Sequence, residues 1–432
     1  MRFYNIKDRK ETATFRESVL QGAAGGNGLY FPSAIPVKDE AFFTEIEKYP
    51  FTDLATEVLY EFVKEDFTRK ELQDICGRAF NFSLPLVWAD SSVYSLELFH
   101  GPSLAFKDVG ARFLSEVLKK IADKQGDEIT VLVATSGDTG SAVAKSFYHV
   151  EGIRVVLLYP SGKVSPLQEK TLTTLGGNIT AVEVQGTFDD CQNLVKRAFA
   201  DREAFGDKVL TSANSINVGR LLPQMVYYFW AWRQLKQEQR DNVVFSVPSG
   251  NYGNLAAGVM AWKMGLPVKR FVAASNINRV VPDYLETGQY KPRPAVRTFS
   301  NAMDVGDPSN FVRIREMFEN DHLRLSKMIQ GFVADDEQTT AAVRDLHNKT
   351  GYTLDPHGAI GYLGCRQHLR EGETGIFLET AHPAKFRDVV EQAIGQSIDM
   401  PEYLREIQDK EKLAVQMSAD YREFRRWLIQ QI

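Results

Sequence analysis

One lysine, Lys107, has a setting that suits amine chemistry. It follows a short turn and precedes a helix-like apolar run at residues 109–121, and its neighbours are Phe106 and a stretch of small and apolar residues. Partial removal of water lowers a lysine pKa from about 10.4 toward neutrality, and the neutral amine can form a Schiff base. An exposed helix start is the commoner setting for a lysine, so this interpretation depends on the rest of the chain.

Two turns rich in glycine each connect a predicted strand to a predicted helix. Residues 135–142 follow the β-branched run 129–134, and residues 249–254 follow the run 242–248. Free N–H groups at a helix start attract an anion, and glycine lets the anion approach the backbone. For the first turn an ordinary capped loop is an equal alternative, since Ser, Thr and Asp all cap helices. The second turn has neither a dinucleotide nor a Walker spacing.

A Schiff-base lysine and a separate phosphate cradle together indicate pyridoxal phosphate, which offers an aldehyde and a phosphate. A further segment, residues 378–386, follows the short apolar run 375–377 and places Thr380 at a predicted strand end. A hydroxyl there could face the pyridine nitrogen of this cofactor. From this segment alone, a threonine that only ends the strand is at least as good an interpretation as one that faces the cofactor.

The composition is that of an ordinary globular enzyme. The chain has 432 residues, 44% of them apolar and 25% charged, with a net charge of −5. These values predict roughly two to three domains and argue against a nucleic-acid or anionic membrane surface. The three cysteines (Cys76, Cys191, Cys365) are far apart, which is typical of reduced thiols, and the seven histidines form no metal-binding cluster. Without a signal-peptide core or an apolar run of about 18 residues, we expect a soluble cytoplasmic protein.

Strands and helices alternate over the middle of the chain. Strands are predicted at residues 129–134, 153–159, 179–184, 243–247 and 268–274, and helices at 188–205 and 218–238. This alternation predicts parallel sheets covered by helices, with a site beyond the carboxyl ends of the strands. Residues 1 to about 95 show helix-like patterns instead.

Eight motifs give the chain a resemblance to the threonine synthase family, in the longer form found in bacteria and fungi. They occur in the order of the family and extend from near the N-terminus to about residue 400. The motifs are His-Gly-Pro-Ser-Leu-Ala-Phe-Lys-Asp (100–108), Thr-Ser-Gly-Asp-Thr-Gly (135–140), Ser-Pro-Leu-Gln-Glu-Lys (165–170), Leu-Gly-Gly-Asn (175–178), Ser-Ala-Asn-Ser-Ile-Asn (212–217), Val-Pro-Ser-Gly-Asn-Tyr-Gly (247–253), Ser-Asn-Ala-Met-Asp-Val (300–305) and Thr-Ala-His-Pro-Ala-Lys-Phe (380–386).

The resemblance implies an α/β fold of the tryptophan-synthase-β type, which is fold type II of the pyridoxal-phosphate enzymes. Two parallel-sheet domains are expected, with an N-terminal helical extension and a C-terminal extension. The expected bounds are 1–95 for the N-terminal extension, 96–111 with 206–400 for the large cofactor-binding domain, 112–205 for the small domain and 401–432 for the C-terminal extension. The chain is expected to be a monomer or a homodimer.

The resemblance also assigns roles to individual residues. Lys107 matches the Schiff-base lysine, and three groups of residues match binding positions. These are Asp138, Gly250, Asn251, Tyr252, Gly253, Asn254 and Thr380 for the cofactor, Ser136 and Thr139 for the substrate carboxylate, and Asn214, Ser215 and Arg220 for the substrate phosphate. Many relatives have Phe and Asp where this chain has Tyr252 and Asn254. Arg220 could instead be a surface helix residue. His382 could be a turn residue fixed by Pro383 and not a catalytic one, and a catalytic role for Lys385 has less support than one for His382.

The implied reaction converts O-phospho-L-homoserine and water into L-threonine and phosphate by γ-elimination and β-hydration, the last step of threonine biosynthesis. Two alternatives are a serine/threonine dehydratase-like enzyme and a non-catalytic relative that binds the cofactor. Dehydratases have no γ-phosphate to hold, so the second phosphate site at residues 214–220 favours threonine synthase. Neither a metal nor a nucleic acid is expected as a partner.

Overall fold

The computed structural model describes residues 1–126, 128–135 and 137–432. The strands are β1 Phe3–Asn5, β2 Thr12–Ala13, β3 Tyr30–Pro32, β4 Leu86–Asp90, β5 Val93–Glu97, β6 Ile129–Ala134, β7 Ile153–Pro160, β8 Ile179–Gln185, β9 Val209–Ser212, β10 Val243–Pro248, β11 Arg270–Ser275, β12 Ile329–Val333, β13 Thr374–Glu379 and β14 Ala414–Ser418. The helices are α1 Phe15–Gln21, α2 Glu40–Glu45, α3 Phe51–Val63, α4 Arg69–Ala79, α5 Lys107–Gln125, α6 Asp138–Phe147, α7 Pro166–Thr173, α8 Phe188–Ala200, α9 Val218–Leu221, α10 Gln224–Gln234, α11 Gly253–Lys263, α12 Val280–Thr287, α13 Phe311–Met317, α14 His322–Met328, α15 Asp336–Thr350, α16 Pro356–His368, α17 Arg387–Ile394, α18 Glu402–Gln408 and α19 Tyr421–Gln431.

The N-terminal region combines helices with a small antiparallel sheet. Helices α1 and α4 begin with capping boxes, in which Thr14 pairs with Glu17 and Thr68 pairs with Glu71. Strand β1 pairs with both β2 and β3. The predicted helical character is therefore confirmed. The sheet escaped prediction because strands of two or three residues give no readable alternation.

The larger of the two parallel sheets has the strand order β12-β11-β10-β13-β5-β4. Its pairs are parallel except for β4, which runs antiparallel to β5. Every residue of β10, β11 and β13 is buried, as expected for strands with helices on both faces. The parallel α/β prediction is confirmed.

The second parallel sheet has the order β14-β8-β7-β6-β9. Strands β6, β7 and β8 match the predicted strands. Two further strands, β9 and β14, complete the edges, and β14 comes from the segment after residue 400 and pairs with β8. The C-terminal segment thus forms part of this sheet.

Several predicted elements end or begin elsewhere in the structure. The predicted helix at residues 218–238 is two helices, α9 and α10, because Pro223 lies between them and lacks an N–H donor. The predicted helix at 188–205 ends at Ala200 and is followed by a 3₁₀ turn, Arg202–Phe205. The strand predicted at 268–274 is β11, Arg270–Ser275.

The carboxyl ends of three strands carry the segments singled out in the sequence. Strand β6 leads into the turn before α6, β10 leads into the turn before α11, and β13 leads into Thr380. Within the described residues, no helix is long and apolar enough to cross a membrane.

Candidate active site

Lys107 begins α5, and the turn before it is fastened to the end of β13. The Phe106 N–H donates to the Thr380 carbonyl oxygen at 2.9 Å. Ala105 and Ala381 form an isolated antiparallel bridge beside this bond. The fold therefore brings the predicted Schiff-base lysine and the predicted pyridine-facing threonine to the same place, although they are far apart in the sequence.

The surroundings of Lys107 favour its neutral amine. Burial lowers the pKa of Lys107 to about 8, while the negative charge of Asp138 opposes that shift. The positive charges of Lys385 and Arg220 lower the pKa further. The sequence-based expectation of a partly desolvated lysine agrees with this environment.

Asp138, the first residue of α6, makes a buried ion pair. Its Oδ1 lies 2.6 Å from Lys385 Nζ, and both side chains are almost fully enclosed. Gln168 Nε2 approaches the same oxygen at 3.5 Å. Burial raises the pKa of Asp138, but the charges of Lys385 and Lys107 and the hydrogen bond from Lys385 outweigh burial and hold it well below its usual range.

The turn before α6 leaves backbone donors available. Thr135 Oγ1 accepts from the N–H groups of Gly137 at 3.0 Å and Gly140 at 2.8 Å. Among the described residues, none accepts from the N–H groups of Asp138 and Thr139, and Thr139 is half-buried. Ser136, predicted to bind the substrate carboxylate, lies outside the described residues.

The turn before α11 presents a run of unpaired N–H groups. Helical hydrogen bonding begins where the Ala256 N–H donates to the Tyr252 carbonyl at 3.0 Å. No acceptor in the described part of the chain faces the N–H groups of residues 250–254. A Cβ on Gly250 would lie 2.4 Å from the Ala302 carbonyl oxygen, so only glycine fits at that position. This arrangement can hold a phosphate.

The side chains of the same turn stabilise its shape. Asn254 Nδ2 donates to the Pro248 carbonyl at 2.8 Å, and Asn254 Oδ1 accepts from Ser249 Oγ at 2.8 Å. Tyr252 has a left-handed φ of 61°, and its hydroxyl pairs with Ser275 Oγ. The amide of Asn254 and the hydroxyl of Tyr252 are thus engaged within the protein, which leaves the backbone as the anion-binding element.

A second polar turn contains Asn214 and Ser215 and is hydrogen bonded both to the end of β6 and, through Asn310, to the turn before α11. Asn214 Nδ2 donates to the Ala134 carbonyl at 2.9 Å, at the end of β6. Asn310 Nδ2 donates to Ser215 Oγ at 3.2 Å, and the Asn310 N–H donates to the Asn251 carbonyl at 3.1 Å. Asn310 therefore connects this turn with the glycine-rich turn before α11.

Arg220 is a buried side chain, and the alternative of a surface helix residue is wrong. It is 4% exposed, and it donates to the Ala213 carbonyl. Its Nε is buried and has no partner among the described residues. A Cβ on Gly110 would lie 2.8 Å from that nitrogen, so α5 packs directly against Arg220. Burial lowers the pKa of Arg220 to about 10, and the negative charge of Asp108 opposes the shift.

Thr380 and His382 follow β13 with different surroundings. Thr380 is buried, and no described residue hydrogen bonds to its hydroxyl. His382 Nδ1 accepts from the Ala384 N–H at 3.1 Å, and its ring packs edge-on against Phe99 at 5.2 Å between centroids. His382 thus caps the 3₁₀ turn Pro383–Phe386, which agrees with the turn alternative.

Three residues of the site were not assigned to it from the sequence. Lys385 pairs with Asp138, Asn310 joins two turns, and fully buried Arg313 donates to the carbonyls of Tyr30 and Ile216 at 2.9 and 2.7 Å. Only Lys385 carried a signal, since it lies between Ala384 and Phe386 in a motif. The other two have no local marker.

Family models match nearly the whole chain. The model described as pyridoxal-phosphate dependent enzyme matches residues 85–380, threonine synthase N terminus matches residues 2–80, and threonine synthase, C-terminal matches residues 358–427. The threonine synthase of Escherichia coli (strain K12) is 46% identical over 431 residues, which covers 99% of each chain. That of Haemophilus influenzae is 46% identical over 433 residues, covering 99% of this chain and 100% of the relative.

Solved structures agree with this relationship. The crystal structure of threonine synthase from Escherichia coli has a TM-score of 0.94 at 44% identity and covers 100% of both chains. Threonine synthase from Brucella melitensis with bound pyridoxal phosphate has a TM-score of 0.92 at 31% identity and covers 100% of this chain and 99% of its own. A threonine deaminase from Solanum lycopersicum, at 15% identity and a TM-score of 0.58, shares the fold. The chain belongs to the threonine synthase family of pyridoxal-phosphate-dependent enzymes.

Proposed function

We propose that the chain converts O-phospho-L-homoserine and water into L-threonine and phosphate, with Lys107 as the lysine that binds the cofactor and moves protons. One arrangement carries the proposal: buried Arg220 packs against Gly110, one helical turn along α5 from Lys107, while a separate turn presents the N–H groups of residues 250–254 with no acceptor among the described residues. The reaction needs two phosphate sites, one for the cofactor and one for the substrate.

Pyridoxal phosphate fits the residues present. The N–H groups of residues 250–254 would hold its phosphate, and Gly250 leaves the space beside them. Lys107 supplies the amine, Thr380 supplies a hydroxyl for the pyridine nitrogen, and Asp138 would lie near the 3′-oxygen. When bound, the cofactor withdraws electrons from the substrate α-carbon. Because a hydroxyl leaves the pyridine nitrogen unprotonated, that withdrawal is weaker than with a carboxylate partner.

Lys107 would carry the protons of the reaction. With a pKa near 8, its amine is partly neutral at physiological pH and can accept a proton. Nζ would take the proton from substrate Cα and pass it to the phosphate that leaves, and would take the proton from Cβ and return it at Cγ after the phosphate has left. The added water would give its hydroxyl to Cβ and its remaining proton, through the same amine, to Cα. The packing of Arg220 against the same helix, at Gly110, supports this role, because the leaving group must be bound within reach of the same amine.

The substrate phosphate would bind at Asn214, Ser215 and Arg220. A guanidinium offers a fork of donors that matches phosphate oxygens, and the buried Nε of Arg220 has no partner among the described residues. The substrate carboxylate would bind at the turn before α6, where Ser136 and Thr139 supply hydroxyls. The N–H groups of Asp138 and Thr139, which have no acceptor among the described residues, support the assignment.

The protein is proposed to act as a monomer or homodimer in the cytoplasm. Cys76, Cys191 and Cys365 are buried free thiols, a state that suits a reducing compartment. Strands β6, β7 and β8 of the second parallel sheet lie within the proposed small domain, and its edge strands β9 and β14 lie outside the proposed bounds. The large cofactor-binding domain would comprise residues 96–111 and 206–400, and the small one residues 112–205.

The direct test is phosphate release from O-phospho-L-homoserine, with the amino-acid product identified in the same sample. Phosphate and threonine in equal amounts would support the proposal. Phosphate with 2-oxobutanoate would indicate elimination without controlled hydration, as in a dehydratase. A coloured, cofactor-loaded protein that releases no phosphate would contradict the proposed substrate and favour the non-catalytic alternative.

A further inference from the structure

Of the two lysines at the site, only Lys385 pairs with a carboxylate among the described residues. Lys385 Nζ lies 2.6 Å from Asp138 Oδ1, whereas no described carboxylate forms an ion pair with Lys107. Both partners of the pair are nearly inaccessible, with 3% and 5% of their side chains exposed. A buried carboxylate that is paired with one amine stabilises the positive charge of a second, more distant amine less.

We propose that Lys385 is a positioning residue that occupies Asp138 and thereby keeps the neighbouring Lys107 amine unpaired and ready to lose its proton. This inference rests on the proposed role of Lys107. It assigns to the chain a second essential lysine, which acts through Asp138 and not by contact with the reacting atoms.

The charges around the pair come from several elements. Asp138, Lys385 and Arg220 act on Lys107, and of these only Asp138 raises its pKa. His357, on α16, is a further titratable group near Asp138. Around Lys385 the further charged or titratable groups are Asp108 on α5, Lys145 on α6 and His382 before the 3₁₀ turn.

Lys385 also supports the turn that carries Lys107, and this gives a matched control. Its Nζ donates to the Ser103 carbonyl at 3.2 Å. Lys145 does the same for the neighbouring residue, donating to the Pro102 carbonyl at 2.8 Å. Lys145 forms no ion pair with Asp138, so its replacement removes a half-buried lysine and a turn contact but leaves the Asp138–Lys385 pair intact.

The experiment measures how fast the full-length apoprotein captures added pyridoxal phosphate as a function of pH. Only the neutral Lys107 amine attacks the aldehyde carbon; the carbon–nitrogen bond forms, and the aldehyde oxygen leaves as water. The visible absorbance of the bound cofactor reports the capture without any substrate. The midpoint for the wild-type protein is expected near the Lys107 pKa of about 8.

Two substitutions should move this midpoint in opposite directions. Lys385→Met removes a positive charge and frees Asp138 to pair with Lys107, so the midpoint should rise by about one pH unit. Asp138→Asn removes the negative charge that stabilises protonated Lys107, so the midpoint should fall by about one pH unit. Lys385→Arg keeps the ion pair and should restore a midpoint close to that of the wild type.

The outcomes separate this inference from the proposed function. An unchanged midpoint in Lys385→Met would overturn the role of Lys385. An equal rise of the midpoint in Lys145→Met would overturn it as well, since a general loss of turn contacts would then explain the rise. If Lys385→Met fails to fold, Asp138→Asn decides, and a midpoint that does not fall would overturn the inference. Formation of the visible band in Lys107→Ala would instead overturn the proposed role of Lys107.

Discussion

The turn before α11 and the surroundings of Lys107 handle charge by different means. At the turn, residues 250–254 offer neutral backbone N–H groups, and the Asn254 side chain is used up in internal hydrogen bonds. Around Lys107, the active groups are charged side chains, and burial or neighbouring charges shift their pKa values.

The difference matches the two tasks of such an enzyme. A cofactor phosphate stays bound through every turnover, so donors that never change protonation suit it. A proton-transfer site must change its charge during each turnover, and it needs groups whose pKa lies near the working pH. Cofactor binding at the turn before α11 should therefore be sensitive to substitutions that change the shape of the backbone. Proton transfer at Lys107 should be sensitive to substitutions that change a charge.

The largest effect on activity should come from Lys107→Ala, which removes the amine proposed to react with the cofactor. Threonine formation should fall by about 10⁴-fold, because neither the covalent bond to the cofactor nor the proton transfers can occur. The visible absorbance of lysine-bound cofactor should vanish as well. Phosphate release and the absorbance spectrum check both, and appreciable activity in this variant would rule out the assignment.

The next effect should come from Arg220→Lys, which keeps the charge but loses the planar fork of donors. We expect kcat/KM for O-phospho-L-homoserine to fall by about 10²-fold through misplacement of the substrate phosphate. Inhibition by inorganic phosphate should weaken in parallel. The cofactor absorbance serves as the internal control, and its loss in this variant would place Arg220 at the cofactor and not at the substrate.

The sequence predicted the parts of the site that are local. Strand β6 and strand β10 are continuous apolar runs, and the turn after each contains its own glycines and polar residues, so both turns could be predicted from the sequence. The partly desolvated setting of Lys107 could be predicted because its turn and its helix adjoin each other in the chain.

Long-range features could not be predicted in the same way. Strand β14 is short and mostly accessible, and only its pairing with β8 makes it a strand. The ion pair between Lys385 and Asp138 joins two segments that no pattern of spacing relates. Arg313 is fully buried and has no carboxylate partner among the described residues, although arginine is rarely buried without one.

Within the turn before α11, Gly250→Ala should have the largest effect because it changes the shape of the turn. Its new Cβ would lie 2.4 Å from the Ala302 carbonyl oxygen and 3.0 Å from Met303 Cα, so the turn must shift. Such overpacking costs about 1–3 kcal/mol, and we expect roughly tenfold weaker cofactor binding. Equilibrium titration of the apoprotein with pyridoxal phosphate measures this.

Gly253→Ala is the matched control, with the same substitution three residues along the same turn. Its Cβ would meet Asn310 Nδ2 at 3.4 Å, an ordinary contact, so the effect on cofactor affinity should be clearly smaller. Equal losses in the two variants would mean that space beside the phosphate, and not the Ala302 contact, determines the need for glycine.

The smallest effect on function should come from Asn254→Ala, which tests whether this side chain shapes the turn or binds the cofactor. The variant loses the bonds to Pro248 and Ser249 and leaves the buried Pro248 carbonyl without that donor. The free energy of unfolding should fall by about 1–3 kcal/mol, measured by denaturant titration of the holoenzyme. Asn251→Ala, at an exposed asparagine of the same turn whose Oδ1 accepts from Ser309 Oγ at 3.0 Å, should lower it less, by about 0.5–1 kcal/mol, because the groups it leaves unpaired can bind water. A loss of cofactor affinity in Asn254→Ala without a loss of stability would show direct binding by the amide. The turn before α11 would then bind through side chains, as the surroundings of Lys107 do.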